Sequence, residues 1–234
     1  DHSQFGGTNT GRLTVAQEIP ATGTIFRASA GTGFKAPTVF QLFHPTFGNA
    51  ALKPEESTGY DIGVDQRFLD KRLQAGVTAF TQDYKNLIAF QGGGYINVNR
   101  AKVKGTESTL DYALTPEWSL RTSHTWLLTE DEATGRVLPR RPKHDWLGGV
   151  EYDVSGKGSL GADVRYSSLQ RDATTGTNVV KAYTVVDLRG SYHVRDDAEM
   201  YVLVENLFDK DYQEVRNFNS PGMSVYVGVK AEFD

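Results

Sequence analysis

Apolar and polar residues alternate along most of the chain, and the alternation is clearest from Met223 to Phe233. Every odd-numbered position in this stretch is apolar, whereas the even-numbered positions are Ser, Tyr, Gly, Lys and Glu. Successive side chains of a strand point to opposite faces, so the stretch predicts a strand with one apolar and one polar face. Its length suits the roughly 9–11 residues with which a tilted strand crosses a bilayer.

The pattern recurs and predicts an all-β, antiparallel, up-and-down sheet of eleven strands. A single helical turn is expected from Thr38 to Phe43, inside the connection between the second and third strands. The predicted strands are residues 11–19, 24–34, 57–69, 72–90, 101–115, 118–129, 144–154, 159–169, 180–194, 199–215 and 223–233.

The connections between these strands alternate strictly between short and long. The short turns are 20–23, 70–71, 115–117, 155–158 and 195–198, and the long loops are 35–56, 91–100, 130–143, 170–179 and 216–222. Transmembrane β-barrels have short periplasmic turns and longer extracellular loops. The alternation therefore favours a transmembrane barrel over a soluble β-sandwich, whose loops have no reason to alternate in this way.

In a barrel the apolar face contacts lipid and the polar face lines the lumen. His124 falls on the lipid-facing register, where it is costly unless it lies near the interface. The predicted lumen residues include Asp61, Arg121, Glu151, Arg165 and Arg189, and the candidates for aromatic girdles are Trp118, Trp126, Trp146 and Tyr152.

Composition narrows the range of functions. The formal net charge of −4 gives no sign of a nucleic-acid surface, and the absence of cysteine excludes disulfides and thiolate metal sites. The 234 residues contain neither a run of 18 apolar residues nor an N-terminal signal-peptide pattern. Because bacterial single-chain barrels have even strand numbers, eleven strands predict the C-terminal half of a larger barrel.

Several motifs together resemble those of TonB-dependent outer-membrane receptors, from about Thr24 to the end of the chain. The similarity is greatest to cobalamin receptors, with ferric-siderophore receptors next. The final strand with Phe233 is similar to the barrel-assembly signal of this family, although Asp234 follows the aromatic residue. The motifs are Phe34-Lys35-Ala36-Pro37, Gly48-Asn49, Leu52-Lys53-Pro54-Glu55, Tyr95-Ile96-Asn97-Val98, Lys104-Gly105-Thr106-Glu107 and Glu205-Asn206-Leu207-Phe208-Asp209-Lys210-Asp211-Tyr212.

The resemblance implies that residues 1–234 form the C-terminal part of a plugged barrel of about 22 strands. The expected location is the bacterial outer membrane, in contact with the lipid bilayer and lipopolysaccharide. The expected partners are the remaining N-terminal half of the barrel, a plug domain absent from this chain, and the TonB complex, reached through the missing plug segment.

The implied function is energy-coupled uptake of a scarce nutrient, with cobalamin ahead of a ferric siderophore. A passive porin-type channel is the contrasting possibility. No cofactor is expected. The five histidines show no metal-ligand spacing, and no nucleophile motif supports an enzyme.

Ligand contacts are expected in the predicted outer loops. Aromatic and amide groups there suit cobalamin, whereas Arg140, Arg141 and Arg171 suit an anionic ferric siderophore, so the sequence leaves the ligand open. The run from Asn206 to Tyr212 predicts a solvated rim and not a binding site. The candidate contacts are Phe90, Tyr95, Asn97, Arg140, Arg141, Phe218 and Asn219.

Overall fold

The computed structural model describes residues 5–173 and 178–232, and nearly all of its regular structure is β-strand. The elements are β1 Arg12–Ile19, β2 Thr24–Lys35, α1 Val39–Phe43, β3 Glu55–Phe68, β4 Leu73–Gln91, β5 Gly94–Ala113, β6 Trp118–Asp131, β7 His144–Asp153, β8 Gly158–Ser167, β9 Gln170–Arg171, β10 Val179–Val180, β11 Tyr183–Arg195, β12 Ala198–Glu205, β13 Gln213–Val215, β14 Phe218–Asn219 and β15 Ser224–Ala231.

Eleven of the strands form one antiparallel sheet, which confirms the predicted up-and-down fold. Its order is β1-β2-β3-β4-β5-β6-β7-β8-β11-β12-β15, so each strand pairs with its neighbours in the sequence. The β9–β10 and β13–β14 hairpins are separate two-stranded sheets within the last two long connections. Among the described residues, β1 and β15 each have one partner, and the sheet therefore does not close on itself.

The strand register aligns apolar side chains across the whole sheet. For example, Met200 lies opposite Val229 and Val202 lies opposite Val227. Val227 is 70% exposed, and no second sheet covers this face in the described part of the chain. The apolar side is thus an open surface, as the membrane interpretation requires. Its exposed members include Leu13, Phe26, Ile62, Val77, Leu120, Leu160 and Val225.

The predicted loop 91–100 is wrong, because β4 and β5 continue through it as one long hairpin. The turn consists of Gly92 and Gly93, whose φ angles are +64° and +88°. A two-residue hairpin turn of this kind needs positive φ at both positions, and glycine adopts it without strain. Pairing then persists to Gln91 and Gly94, so the residues predicted as a loop extend the two strands.

The predicted strand 199–215 is also too long. β12 ends at Glu205, and the chain then turns at Asn206, which has a φ of +51°. The predicted helical turn is confirmed as α1. Thr38 caps it by accepting the backbone N–H of Gln41 at 3.2 Å, and the Gln41 side chain accepts the Thr38 N–H at 2.8 Å. No helix among the described residues is long and apolar enough to cross a membrane.

Aromatic side chains lie at both ends of the apolar face of β6 and β7. Trp118 and Tyr152 meet near the short turns with ring centroids 4.7 Å apart, and Trp126 and Trp146 lie near the opposite end. His124 lies beside Trp126 and Trp146 and stacks on His144. The Nε2 of His124 lies 3.1 Å from the Nδ1 of His144, so the two imidazoles satisfy each other on an otherwise apolar surface.

Candidate functional site

The loop from residue 36 to 54 folds onto the tip of the β4–β5 hairpin, and we call this unit the clasp. Its centre is a closed circle of five aromatic rings, each in contact with two others at centroid distances from 4.5 to 6.1 Å. These contacts hold the loop against the hairpin through ring faces and edges. The rings belong to Phe40, His44, Phe47, Phe90 and Tyr95.

Amide side chains complete the clasp. Asn97 accepts the backbone N–H of Lys53 at 2.8 Å through Oδ1, and its Nδ2 donates to the carbonyls of Lys53 and Asn86 at 3.0 and 2.7 Å. Asn49 donates to the carbonyl of Tyr95 at 3.0 Å. The Asn97 amide, predicted to contact ligand, is therefore engaged in fixing the loop.

A buried carboxylate ties the clasp to the sheet. Glu55 is 7% exposed, accepts the backbone N–H of Ile88 at 2.7 Å and pairs with Lys35 at 3.1 Å. Glu55, Lys53, Asn97 and Lys35 all belong to the short motifs that carry the family resemblance. Four of the six motifs, including Gly48-Asn49, thus converge on one structural unit.

The predicted arginines lie at a second place on the same rim. Arg140 donates through Nε to Asp172 at 3.1 Å, and its backbone N–H donates to the carbonyl of Arg171 at 2.7 Å. Arg141 donates to the carbonyl of Arg140 at 2.9 Å. The backbone N–H of Arg216 reaches Asp172 at 3.4 Å, so Asp172 links the loop after β6 to the last long connection.

Phe218 and Asn219 form β14 in that last connection. Phe218 is 72% exposed, whereas Asn219 accepts a hydrogen bond from the Gln213 side chain at 2.7 Å within its own hairpin. The structure thus brings Phe90, Tyr95 and Asn97 together, and it places Arg140 and Arg141 in a different group. Of the two predicted phenylalanine contacts, Phe218 is the more exposed, since Phe90 is 38% exposed.

The β13–β14 hairpin is anchored to the wall of the sheet by an ion pair. Arg165 lies 2.9 Å from Glu214 and donates to the Tyr183 hydroxyl at 3.0 Å. The Tyr183 ring packs on Tyr212 with centroids 4.5 Å apart. This anchor holds the last connection close to the start of β11.

The run from Asn206 to Tyr212 is more than a solvated rim, because Asn206 is only 3% exposed. Its side-chain Nδ2 donates to the carbonyls of Lys210 and Pro221 at 2.9 and 3.2 Å, and its Oδ1 accepts the N–H of Lys210 at 2.8 Å. Asp187 accepts the N–H of Asn206 at 2.7 Å. Asn206 therefore fixes the shape of the connection that leads into β15.

The polar face of the sheet carries ion pairs between neighbouring strands. Arg27 binds Asp65 at 2.6 Å, and Arg189 contacts both Asp163 and Glu151, the latter at 3.0 Å. Glycines make room for these side chains to lie along the wall. A β-carbon at Gly161, for example, would lie 2.7 Å from the Arg189 guanidinium. Arg27 and Arg189 are thus neutralised within the wall.

No group of three or more metal-binding side chains occurs in the part of the chain that the structure describes.

The sequence profile of the family described as "TonB dependent receptor-like, beta-barrel" matches residues 1–207. The chain belongs to this receptor family. The motif-based resemblance is thereby confirmed.

Relatives of known function add to this family assignment. The receptor chain is 32% identical over 242 aligned residues to the vitamin B12 transporter BtuB of Photobacterium profundum, covering 100% of the chain and 39% of the relative. The BtuB of Vibrio vulnificus is 31% identical over 236 residues, covering 97% and 36%. The chain thus spans about two fifths of the length of the curated relatives it matches.

Solved structures share the fold of the receptor chain. A ferric enterobactin receptor from Pseudomonas aeruginosa superposes with a TM-score of 0.81 at 23% identity, covering 99% of this chain and 41% of that one. The copper transporter OprC gives 0.80 at 23% identity, covering 96% and 40%. At this identity the likeness concerns the fold alone.

Proposed function

We propose that this chain is the C-terminal part of the barrel of an outer-membrane transporter that imports a nutrient with energy delivered through TonB. The nutrient proposed is cobalamin. The observation that carries the proposal is the division of the sheet into an open apolar face and a charged face whose ion pairs are formed within the wall. Such a division fits a surface between lipid and a polar lumen.

The proposed partners follow from the same arrangement. Lipid and the lipopolysaccharide of the outer leaflet cover the apolar face, and further barrel strands pair with the open edges of β1 and β15. A plug domain fills the lumen and provides the segment that contacts TonB. The full barrel then has about 22 strands, a size at which the lumen is wide enough to hold a plug.

Cobalamin is favoured over a ferric siderophore by the relatives of known function. This chain aligns over its full length with 39% of a vitamin B12 transporter at 32% identity, whereas the likeness to the ferric enterobactin receptor, at 23% identity, concerns the fold alone. A fold does not determine its ligand, so the barrel itself supports either ligand.

Uptake of radiolabelled cyanocobalamin by intact cells tests the proposal. We expect uptake to depend on this receptor and to stop when a protonophore collapses the proton-motive force or when TonB is deleted. Uptake that persists under both treatments would identify a passive channel instead. Titration of the receptor, purified from outer membranes, with cyanocobalamin and with ferric enterobactin decides between the two ligands.

A further inference from the structure

The last two long connections border a cleft of about 350 Å³, lined by residues 179–183 and 210–213 and by Arg216 and Asn217. Three of the described residues that line it are cations, Lys181, Lys210 and Arg216, and one is an acid, Asp211. We call it the cationic cleft. None of the seven residues predicted to contact ligand lines it.

In the described part of the chain, the three cations of the cleft have no ion-pair partner, unlike Arg27 and Arg189 of the sheet wall. Among the described residues, neither Lys181, Lys210 nor Arg216 has a carboxylate within salt-bridge distance, and all three are exposed. Of the nearby carboxylates, Asp172 pairs with Arg140 at 3.1 Å and Glu214 pairs with Arg165 at 2.9 Å, so Asp211 is the one described acid that offsets the three cations of the lining. The positive charge of the cleft is therefore available to a ligand.

The frame of the cleft is fixed on both sides. Tyr183 is 5% exposed and packs on Tyr212, and the side chain of Gln170 donates to the carbonyl of Glu214 at 3.1 Å, which joins the β9–β10 hairpin to β13. The backbone of Lys210 is held by Asn206. Cations presented from a fixed frame bind an anion without the entropy cost of ordering the loop first.

We propose that the cationic cleft binds the phosphodiester of the corrinoid that the receptor takes up, an inference that rests on the proposed cobalamin function. Two lysines and one arginine that line a single space match a phosphate ester, which accepts several charge-assisted hydrogen bonds at once. The cleft would then distinguish a corrinoid that carries the phosphodiester-linked nucleotide from one that lacks it.

The test compares cyanocobalamin with dicyanocobinamide, which has the corrin ring but no phosphodiester. The receptor is purified from outer membranes, and both ligands are titrated against the native protein and the double variant Lys181→Gln/Arg216→Gln. We expect the native preference for cyanocobalamin over dicyanocobinamide to fall about tenfold in the variant, the effect of losing one charge-assisted hydrogen bond. Affinity for dicyanocobinamide should stay unchanged.

The matched control is Lys157→Gln, which removes an exposed lysine from a short turn at the opposite end of the strands and should leave the preference intact. A native receptor that binds both corrinoids equally, or a double variant that keeps the native preference, overturns the cleft assignment and leaves the proposed function standing. If the native receptor binds neither corrinoid, the proposed function fails as well.

The lipid A headgroup is a second source of phosphate that the cleft could bind. The titration is therefore repeated in detergent with and without added lipopolysaccharide. We expect the preference for cyanocobalamin to be the same in both. If the double variant loses binding of lipopolysaccharide and keeps the native corrinoid preference, the cleft is a lipid site and the inference is wrong.

Discussion

The two faces of the sheet suit different surroundings, and Val227 and Gly228 show this difference at adjacent positions of β15. Val227 lies in an apolar row with Val202 and offers no hydrogen-bonding group. Gly228 lies on the polar face beneath the ring of Tyr201. The apolar face suits a surrounding medium that forms no hydrogen bonds. The polar face holds its side chains in place through contacts within the sheet.

The largest expected effect comes from placing a charge on the apolar face. Val227→Arg should destabilise the folded receptor by about 2–4 kcal/mol, the cost of a cation near the bilayer midplane. The measurement is the free energy of unfolding in urea, with the protein folded into lipid vesicles. Val227→Leu is the control and should be nearly neutral. Equal stability of the two variants would contradict the assignment of this face to lipid.

A smaller effect is expected one residue further on. In Gly228→Arg the new β-carbon collides with the phenol of Tyr201, and because that ring can rotate away the cost should be about 1 kcal/mol. The same unfolding titration in a double-mutant cycle with Tyr201→Ala checks the cause. Most of the cost should disappear in the double variant, and strictly additive effects would show that Tyr201 is not responsible.

The smallest effect is expected from the wall charges. Arg189→Met leaves Asp163 and Glu151 unneutralised beside each other, but Arg189 is about one-third exposed, and solvent screens the loss to about 0.5–1 kcal/mol. The difference from native protein should shrink as NaCl is raised. Arg121→Met, whose contact with Asp111 is longer at 3.7 Å, should show less of both effects. A salt-independent loss in Arg189→Met would point to packing instead of charge.

The motif residues behave differently from the predicted ligand contacts. Lys53, Glu55 and Asn97 were recognisable from sequence as part of a family pattern, and the structure joins them in the clasp. Whether Phe90 or Tyr95 also touches a ligand stays a prediction. Phe233, the terminal aromatic of the expected assembly signal, lies outside the described residues.

The alternation of side chains determined the eleven strands, their order and the identity of the two faces, because the two-residue period of a strand is a local property of the chain. The length of the β4–β5 hairpin was decided in three dimensions, where the pairing of Leu87 with Val98 extended both strands to the glycine turn. The cationic cleft also needed the tertiary structure. Lys181 and Lys210 lie far apart in sequence, and they line one space only because the last two connections fold side by side against the same wall.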